Sequence, residues 1–257
     1  MSVEPIIYSK NYITADGVFL CSHGSTLIER IYDRDKNSLY ITSGANSDAT
    51  EAYVEIAFYE GTVAQTRTID TIILVNHNLK APAFQYWDGS AWQDLVSGSN
   101  LAVSTSIFTF TAQATTKLKI KCSTTQTANQ EKQFGELIAC LKTLTLARDL
   151  ESYDVTFRQK AVEIPLADGS IHRSVVAHSD NRSQKYEAKF TLNFLTTAQL
   201  EVLQAIKEAG AAFLVQPESI ARPDEIYLVN WTNPFNYKYV SIYKGGGHRL
   251  EIQVKEV

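Results

Sequence analysis

Cysteine is scarce in this sequence, basic residues are not in excess and no long apolar run occurs, and each absence excludes a class of protein. Cys21, Cys122 and Cys140 are odd in number and lack the spacing of metal ligands, which favours reduced thiols over a disulfide framework. No stretch approaches the roughly 20 apolar residues that span a bilayer, so we expect no membrane insertion. The formal net charge of -4 provides no basic field for sequence-specific nucleic acid binding. The N-terminal residues lack the basic start of a signal peptide, so we expect a chain made in a cytoplasm.

The sequence also lacks the common signatures of enzymes and metal sites. It contains no P-loop, no Gly-x-Ser-x-Gly elbow, no His-Glu-x-x-His and no Cys-x-x-Cys pair. His172 and His178 could face one side of a strand, but two imidazoles without a third ligand do not make a metal site. We therefore predict a non-enzymatic protein with no catalytic residues, no metal and no cofactor.

What the chain has in quantity is aromatic residues, 13 Tyr and 11 Phe beside a single Met, a composition typical of strand-rich packing. Short apolar or alternating segments follow one another through residues 1–145, with no convincing helix among them. The predicted strands are Thr26–Ile31, Ser38–Ile41, Ala52–Phe58, Ile72–Val75, Phe84–Trp87, Ile107–Phe110, Leu118–Cys122 and Gly135–Cys140. Strands at this spacing predict a β-sandwich domain over residues 1–145.

Residues 146–257 predict a second domain, in which a small β-structure carries one helix. Polar and apolar residues alternate over Tyr186–Phe194, which predicts a half-buried strand. Thr196 begins a capping box, apolar residues including Leu203 then recur at helical spacing, and Gly210 supplies the left-handed residue that ends a helix. A further strand is predicted over Arg249–Val254. The fold class is therefore mainly β with one packed α-helix.

Two places in the first domain are candidate ligand or interface residues. Tyr86, Trp87 and Trp92 cluster around an Asp88-Gly89 turn, where they could stack on a sugar or a base, or line a protein interface. Aromatic cross-strand pairs also simply stabilise hairpins. His77 follows a buried strand and could serve a site, but the favoured alternative is that it ties down the backbone of its loop through hydrogen bonds.

A glycine-rich segment before the last strand is a candidate oligomer interface. Its residues are Lys244, Gly245, Gly246, Gly247, His248 and Arg249. Glycines at such a position favour a flexible hairpin tip, which a ring-forming protein could extend to the next subunit.

The second domain resembles the minor, or distal, tail proteins of long non-contractile-tailed phages. The matching features are the strand Tyr186–Phe194, the helix Thr196–Ala209, the run Phe213–Pro217 and the terminal strand Arg249–Val254, preceded by the hairpin Leu166–Arg173. The resemblance implies a tail-tube-like β-sandwich or barrel with one packed α-helix.

The first domain is similar to the discoidin-like, galactose-binding-type jelly-roll β-sandwich that is attached to some phage tail proteins. The residues that carry this similarity are Val54–Phe58, Ile69–Asn78 and Phe84–Tyr86. Many relatives of this sandwich bind carbohydrate and others only pack against neighbouring proteins. The sequence shows no calcium loop of clustered Asp and Asn.

Together the resemblances imply a structural virion protein of the phage tail tip. It would form a homo-oligomeric ring, a trimer or a hexamer, that joins the tail tube to the tip or baseplate and contacts tube and hub proteins. It would be assembled in the host cytoplasm and reside in the virion tail. The alternative is a carbohydrate-binding adhesin that recognises a host-surface glycan through the first domain.

Overall fold

Strands account for most of the secondary structure in the computed structural model. The structure describes residues 5–33, 38–146, 150–159, 161–165, 171–175, 184–219, 222, 225–240 and 247–256. In chain order the strands are β1 Ile6–Tyr8, β2 Val18–Cys21, β3 Tyr40–Ile41, β4 Ala52–Ala57, β5 Tyr59–Glu60, β6 Val63–Ala64, β7 Arg67–Val75, β8 Ala83–Trp87, β9 Trp92–Ser97, β10 Ser106–Thr115, β11 Lys117–Cys122, β12 Gln133–Phe134, β13 Glu136–Cys140, β14 Lys142–Thr145, β15 Leu150–Gln159, β16 Ala161–Pro165, β17 Ile171–Val175, β18 Gln184–Leu195, β19 Phe213–Gln216, β20 Tyr227–Trp231, β21 Tyr237–Tyr239 and β22 His248–Glu256. A 3-10 helix spans Ser25–Ile31 and the α-helix α1 spans Thr197–Ala209. The predicted fold class, mainly β with one packed α-helix, is confirmed.

The chain divides into two compact units. One contains residues 9–142, and the other contains the described residues of 1–8 and 143–257. Strand β1 pairs antiparallel with β19, where Ile7 lies opposite Val215. The start of the chain, which the sequence analysis assigned to the first domain, therefore belongs to the sheet of the second unit. The physical reason is that strand β1 buries the side chains of Ile7 and Tyr8 when it pairs in this sheet.

The 9–142 unit is a sandwich of two antiparallel sheets. Its five-stranded sheet has the order β2-β4-β11-β8-β9 and its three-stranded sheet the order β10-β7-β13. One core joins them, since Ile56 and Leu118 of the first sheet cluster with Ile72 and Phe108 of the second. Period-two alternation puts every second side chain of these strands into that core.

The segment around Ile28 forms a 3-10 helix, so the prediction of a strand over Thr26–Ile31 is wrong. Ile31 is fully buried and Ile28 packs against the same core. Residues three apart share a face in a 3-10 helix, which has three residues per turn. The apolar spacing of this segment therefore fits the tighter helix, and the Arg30 guanidinium donates to the Leu39 carbonyl at 3.0 Å.

The second unit is built on one large sheet with the order β14-β1-β19-β20-β22-β18-β15, and β21 also pairs with β22. Helix α1 begins with the predicted capping box, in which the Gln199 amide donates to the Thr196 hydroxyl at 3.2 Å and the Thr196 amide donates to the Gln199 side chain at 2.8 Å. The helix ends at Gly210, whose φ of 61° is left-handed. Leu200 and Leu203 are the buried residues of the helix and pack into the core of this sheet.

Replacing Leu203 with Ala tests the packing of the helix against the sheet. Leu203 has no exposed surface, so the truncation should leave a cavity and lower the free energy of unfolding by about 2–5 kcal/mol. Chemical denaturation of the full chain measures the effect. Glu201→Ala changes an exposed residue of the same helix and should have little effect. Equal midpoints for the Leu203 and Glu201 variants would contradict this packing.

Candidate functional site

The solvent-facing side of the five-stranded sheet carries most of the candidate residues, and we call it the outer sheet face. The core-facing side chains of its central strand β11 are Leu118, Ile120 and Cys122, all buried. The alternate residues of each strand face the other way. The outer sheet face therefore includes Val18, Leu20, Tyr53, Glu55, Ala57, Ala83, Gln85, Trp87, Trp92, Asp94, Lys117, Lys119 and Lys121.

Two tryptophans form an edge-to-face pair on this surface. Trp87 ends β8, Trp92 begins β9, and the two are directly opposite each other in the pairing of these strands. Their ring centroids are 5.5 Å apart and their planes meet at 69°. Aromatic rings prefer this arrangement because the positive edge of one ring meets the negative face of the other. Both indoles are half-buried and lie outside the core cluster.

The turn between the two tryptophans is held by Asp88. Its carboxylate accepts hydrogen bonds from the backbone amides of Ser90 at 2.7 Å and Ala91 at 2.8 Å, and from the Gln93 side chain at 2.8 Å. These donors, the Ala91 amide first, hold the pKa of Asp88 well below its usual range. Gly89 adopts a φ of 106°, which a side chain would disfavour. The turn therefore fixes the positions of both indoles.

Lys119 connects the tryptophan pair to the middle of the sheet. Its ammonium nitrogen lies 4.3 Å from the centroid of the Trp92 ring and 5.2 Å from that of Tyr53. The same nitrogen forms a 2.7 Å ion pair with Glu55, which pairs with Lys119 across β4 and β11. An ammonium over an aromatic face is attracted by the electron density of the ring. Lys119 thus holds the Trp92 ring over the sheet.

Polar groups surround the indoles on the same face. The Gln85 amide donates to the Asp94 carboxylate at 2.7 Å, in an exposed hydrogen bond two register positions from the tryptophan pair. Lys117 is exposed, and its ammonium nitrogen lies 5.3 Å from the centroid of the Trp87 ring. The face therefore combines apolar ring surface with amide, carboxylate and ammonium groups that can bind hydroxyls.

The other two candidates of the first domain do not join this cluster. Tyr86 lies opposite Leu118 and shares the core-facing side of β8 with Phe84, so strand alternation separates it from Trp87. His77 is 5% exposed and lies in the loop after β7, a strand of the other sheet. Of the four candidate residues predicted in the first domain, only Trp87 and Trp92 therefore lie together in the structure.

His77 is engaged at both ring nitrogens. The Leu79 amide donates to Nδ1 at 3.1 Å, and Nε2 lies 2.9 Å from the Ser106 hydroxyl. Because Nδ1 accepts, the neutral ring carries its proton on Nε2 and donates to Ser106. Burial lowers the pKa of His77 to about 4. The geometry is that of a residue that ties its loop to the sandwich.

Part of the glycine-rich segment can be described. Lys244, Gly245 and Gly246 lie outside the described residues. Gly247 lies against the backbone of Phe194, where an added Cβ would be 2.6 Å from the carbonyl carbon, so only glycine fits. Phe194 itself has a φ of 60°, which is strained for a bulky residue, and it is 52% exposed.

The two residues after Gly247 belong to strand β22. The His248 ring makes edge contacts with Tyr237 and Tyr239, at centroid distances of 5.3 and 5.4 Å. Arg249 forms a 2.9 Å ion pair with Glu151 on the surface of the sheet. The last strand is therefore longer than the predicted Arg249–Val254, since it starts at His248 and ends at Glu256.

The part of the chain that the structure describes holds neither a metal-binding cluster nor a membrane-spanning helix. No group of three or more His, Cys, Asp or Glu side chains there is arranged to hold a metal ion. No helix within the same residues has the length and apolar character needed to cross a membrane.

The chain matches no family model and no curated protein. It is similar to several solved carbohydrate-binding modules over about half of its length. One is a family 32 module of Clostridium perfringens NanJ in complex with galactose (12% identity, 51% of this chain and 98% of that chain, TM-score 0.44). Another, from the same organism, is in complex with GalNAc-β-1,3-galactose (10% identity, 51% and 99%, TM-score 0.43). A third is chitosan-binding module 1 of a chitosanase/glucanase from Paenibacillus sp. IK-5 (11% identity, 48% and 94%, TM-score 0.40).

The buried His77 should make the stability of the chain depend on pH. Its folded pKa of about 4 lies below the ordinary value of 6.5, so the unfolded chain takes up the proton first as the pH falls. Stability should be complete above about pH 6.5 and decline toward pH 4. In His77→Gln, the melting temperature should fall less between pH 6.5 and pH 4 than it does in the native chain. His23→Gln is the matched control and should keep the native pH dependence. A decline as steep in His77→Gln as in the native chain would refute the assignment.

Proposed function

We propose that the 9–142 unit binds carbohydrate, without catalysis, on the outer sheet face. The observation that carries the proposal is the edge-to-face pair of Trp87 and Trp92, held by a tight turn on a solvent-facing sheet surface. A fixed aromatic surface loses little conformational freedom when a ligand binds, which favours affinity.

The chemistry of this surface matches the chemistry of a sugar ring. A pyranose has faces of C–H groups that pack on the electron-rich face of an indole, and a rim of hydroxyls that need hydrogen-bond partners. The half-buried Gln85 and the exposed Asp94 provide a donor and an acceptor beside the rings, and Lys117 provides a further donor. Binding would need no change in the sandwich core, because these side chains lie outside it.

Cross-strand packing is the competing explanation for the tryptophan pair. An aromatic pair directly opposite on two strands stabilises a hairpin by itself. Packing does not, however, require that the pair lie on the solvent face with hydrogen-bonding groups alongside it. The glycans named with the similar structures, galactose, GalNAc-β-1,3-galactose and chitosan, provide the first probes for separating the two explanations.

Replacing both tryptophans with Ser should weaken glycan binding by about 30-fold, because truncating an aromatic anchor at an interface costs about 2 kcal/mol or more. The melting temperature should change little, since neither ring belongs to the core cluster. A glycan array followed by calorimetry measures the affinity. Val63→Ser with Val103→Ser is the matched control, because the two residues are 60% and 53% exposed and neither belongs to the five-stranded sheet. Unchanged affinity with lost stability would show that the pair serves packing alone.

A second candidate function, assembly into the ring of a phage tail tip, is favoured by an aromatic row in the second unit. Neighbouring rings along this row are 5.3 to 6.5 Å apart, centroid to centroid. The row consists of Phe213, Trp231, Phe235, Tyr237, His248 and Tyr239. Phe213 and Trp231 are 3% and 9% exposed at one end of the row, whereas Tyr237 and Tyr239 toward the other end are 51% and 60% exposed.

The exposed end of the row lies on strand β21, whose residues are all exposed. Exposed strands of this kind can pair with another chain, and large exposed aromatics are enriched at protein interfaces. The Trp231 indole nitrogen adds a buried donor without a partner among the described residues. We propose that a second copy of the chain packs on this row, in the ring at the distal end of a virion tail that the sequence resemblance implies.

Replacing Tyr237 and Tyr239 with Ser should weaken self-association of the full chain by about tenfold or more, because the two rings are 51% and 60% exposed and exposed aromatic anchors dominate the energy of protein interfaces. Light scattering over a concentration series and negative-stain microscopy measure the assembly. Val63→Ser is the control, since Val63 is 60% exposed in the other unit. A native chain that stays monomeric at every concentration, alone and with tail-tube protein, would count against the ring.

A further inference from the structure

We propose that the glycan bound on the outer sheet face is acidic, and that Lys117 and Lys121 bind its anionic groups. This inference rests on the proposed carbohydrate binding and specifies the class of ligand. Carboxylated and sulfated sugars share the required chemistry.

The three lysines of β11 form a straight row along the centre of the sheet. Lys117, Lys119 and Lys121 alternate with buried residues, so all three face outward. Residues two apart on a strand are about 7 Å apart, which places Lys117 and Lys121 about 14 Å apart along the row. The row therefore follows a strand direction along which an extended polymer could lie.

Strand pairing compensates the charge of the middle lysine, and among the described residues the outer two have no acidic residue opposite them. Lys119 lies opposite Glu55 and forms an ion pair with it. Lys117 lies opposite Ala57 on β4 and against the Trp87 ring.

Lys121 has neutral neighbours on both sides, Tyr53 on β4 and Ala83 on β8. Within the described part of the chain, neither Lys117 nor Lys121 forms an ion pair. Two ammonium groups thus remain for a ligand.

The carboxylates near the tryptophans already have neutral donors of their own. Asp94 accepts from Gln85, and Asp88 accepts from the amides of its turn. Asp88 lies at the hairpin end of the face, whereas Lys121 lies toward the opposite end of β11. An acidic chain avoids repulsion if its uncharged sugar face covers the tryptophans and its anionic groups lie along the lysine row.

An acidic glycan fits this surface better than a nucleic acid does. Nucleic acid binding depends on neutralising many phosphates, whereas this chain has a net charge of -4 and two uncompensated lysines on the face. The exposed ammonium of Lys117 adjoins the Trp87 ring, so stacking and charge are available within one sugar unit.

Polygalacturonate and its fully methyl-esterified form provide a matched pair of probes, because they share a backbone and the methyl ester replaces each carboxylate with a neutral group. Calorimetry with the full chain, at low and high salt, should show tighter binding of the acid form and loss of that preference in salt. Lys117→Gln with Lys121→Gln should lower affinity for the acid form by about 3- to 30-fold and leave the ester unaffected. Lys10→Gln with Lys80→Gln removes the same charge from exposed lysines elsewhere in the unit and should have little effect.

The outcomes separate this inference from the proposed function. Equal affinity for acid and ester, with no effect of Lys117 and Lys121, would overturn the acidic ligand and leave glycan binding intact. Binding of neither polymer, nor of any neutral glycan, would overturn both. Single-stranded DNA bound more tightly through the same two lysines would replace the glycan with nucleic acid. A parallel series with dextran sulfate and dextran identifies the anionic group as carboxylate or sulfate, and either result supports the inference.

Discussion

The pairing register of β11 is the constraint on which the 9–142 unit depends. Its alternate residues are Leu118, Ile120 and Cys122 on one face and three lysines on the other. A slip of one residue against β4 would exchange the two faces and place three ammonium groups in the sandwich core. Burying unpaired charges costs several kcal/mol each, so a register shifted by one residue is incompatible with a folded unit. The same register places Lys119 opposite Glu55 and thereby positions Trp92.

Most helices and strands of this chain could be predicted from local sequence patterns. Features that depend on pairing between segments distant in sequence could not. The capping box at Thr196 and the stop at Gly210 are encoded within a few residues, and each was found as expected. The alternation predicted over Tyr186–Phe194 holds as far as Leu192, where the pairing register shifts, so that Phe194 is exposed and Leu195 is buried instead. The helix at Ser25–Ile31 was missed because apolar residues three apart also fit an irregular strand. Strand β1 was misassigned because three residues carry no pattern that identifies a partner more than 200 residues away.

The candidate site was only partly predictable for the same reason. Trp87 and Trp92 are neighbours across a four-residue turn, so their clustering could be anticipated from the sequence. Their contacts with Lys117 and Lys119 depend on the order of strands in the sheet, which alternation alone does not reveal. The alternating lysines of β11 were a visible signal, but without strand order they indicated only a solvated face. Tyr86 was grouped with the tryptophans although alternation placed it on the opposite side.

The position of β1 beside β14 gives the chain a nested architecture. These two strands are neighbours in the large sheet, and the Leu146 amide donates to the Pro5 carbonyl at 2.9 Å, yet the whole sandwich separates them in sequence. The sandwich of residues 9–142 is thus inserted in the chain between β1 and β14, two adjacent strands of the large sheet of the second unit. During synthesis β1 emerges first but cannot join its sheet until β19 has been made. An insertion whose ends meet can be exchanged for another module, or for a short loop, without breaking the sheet that carries it.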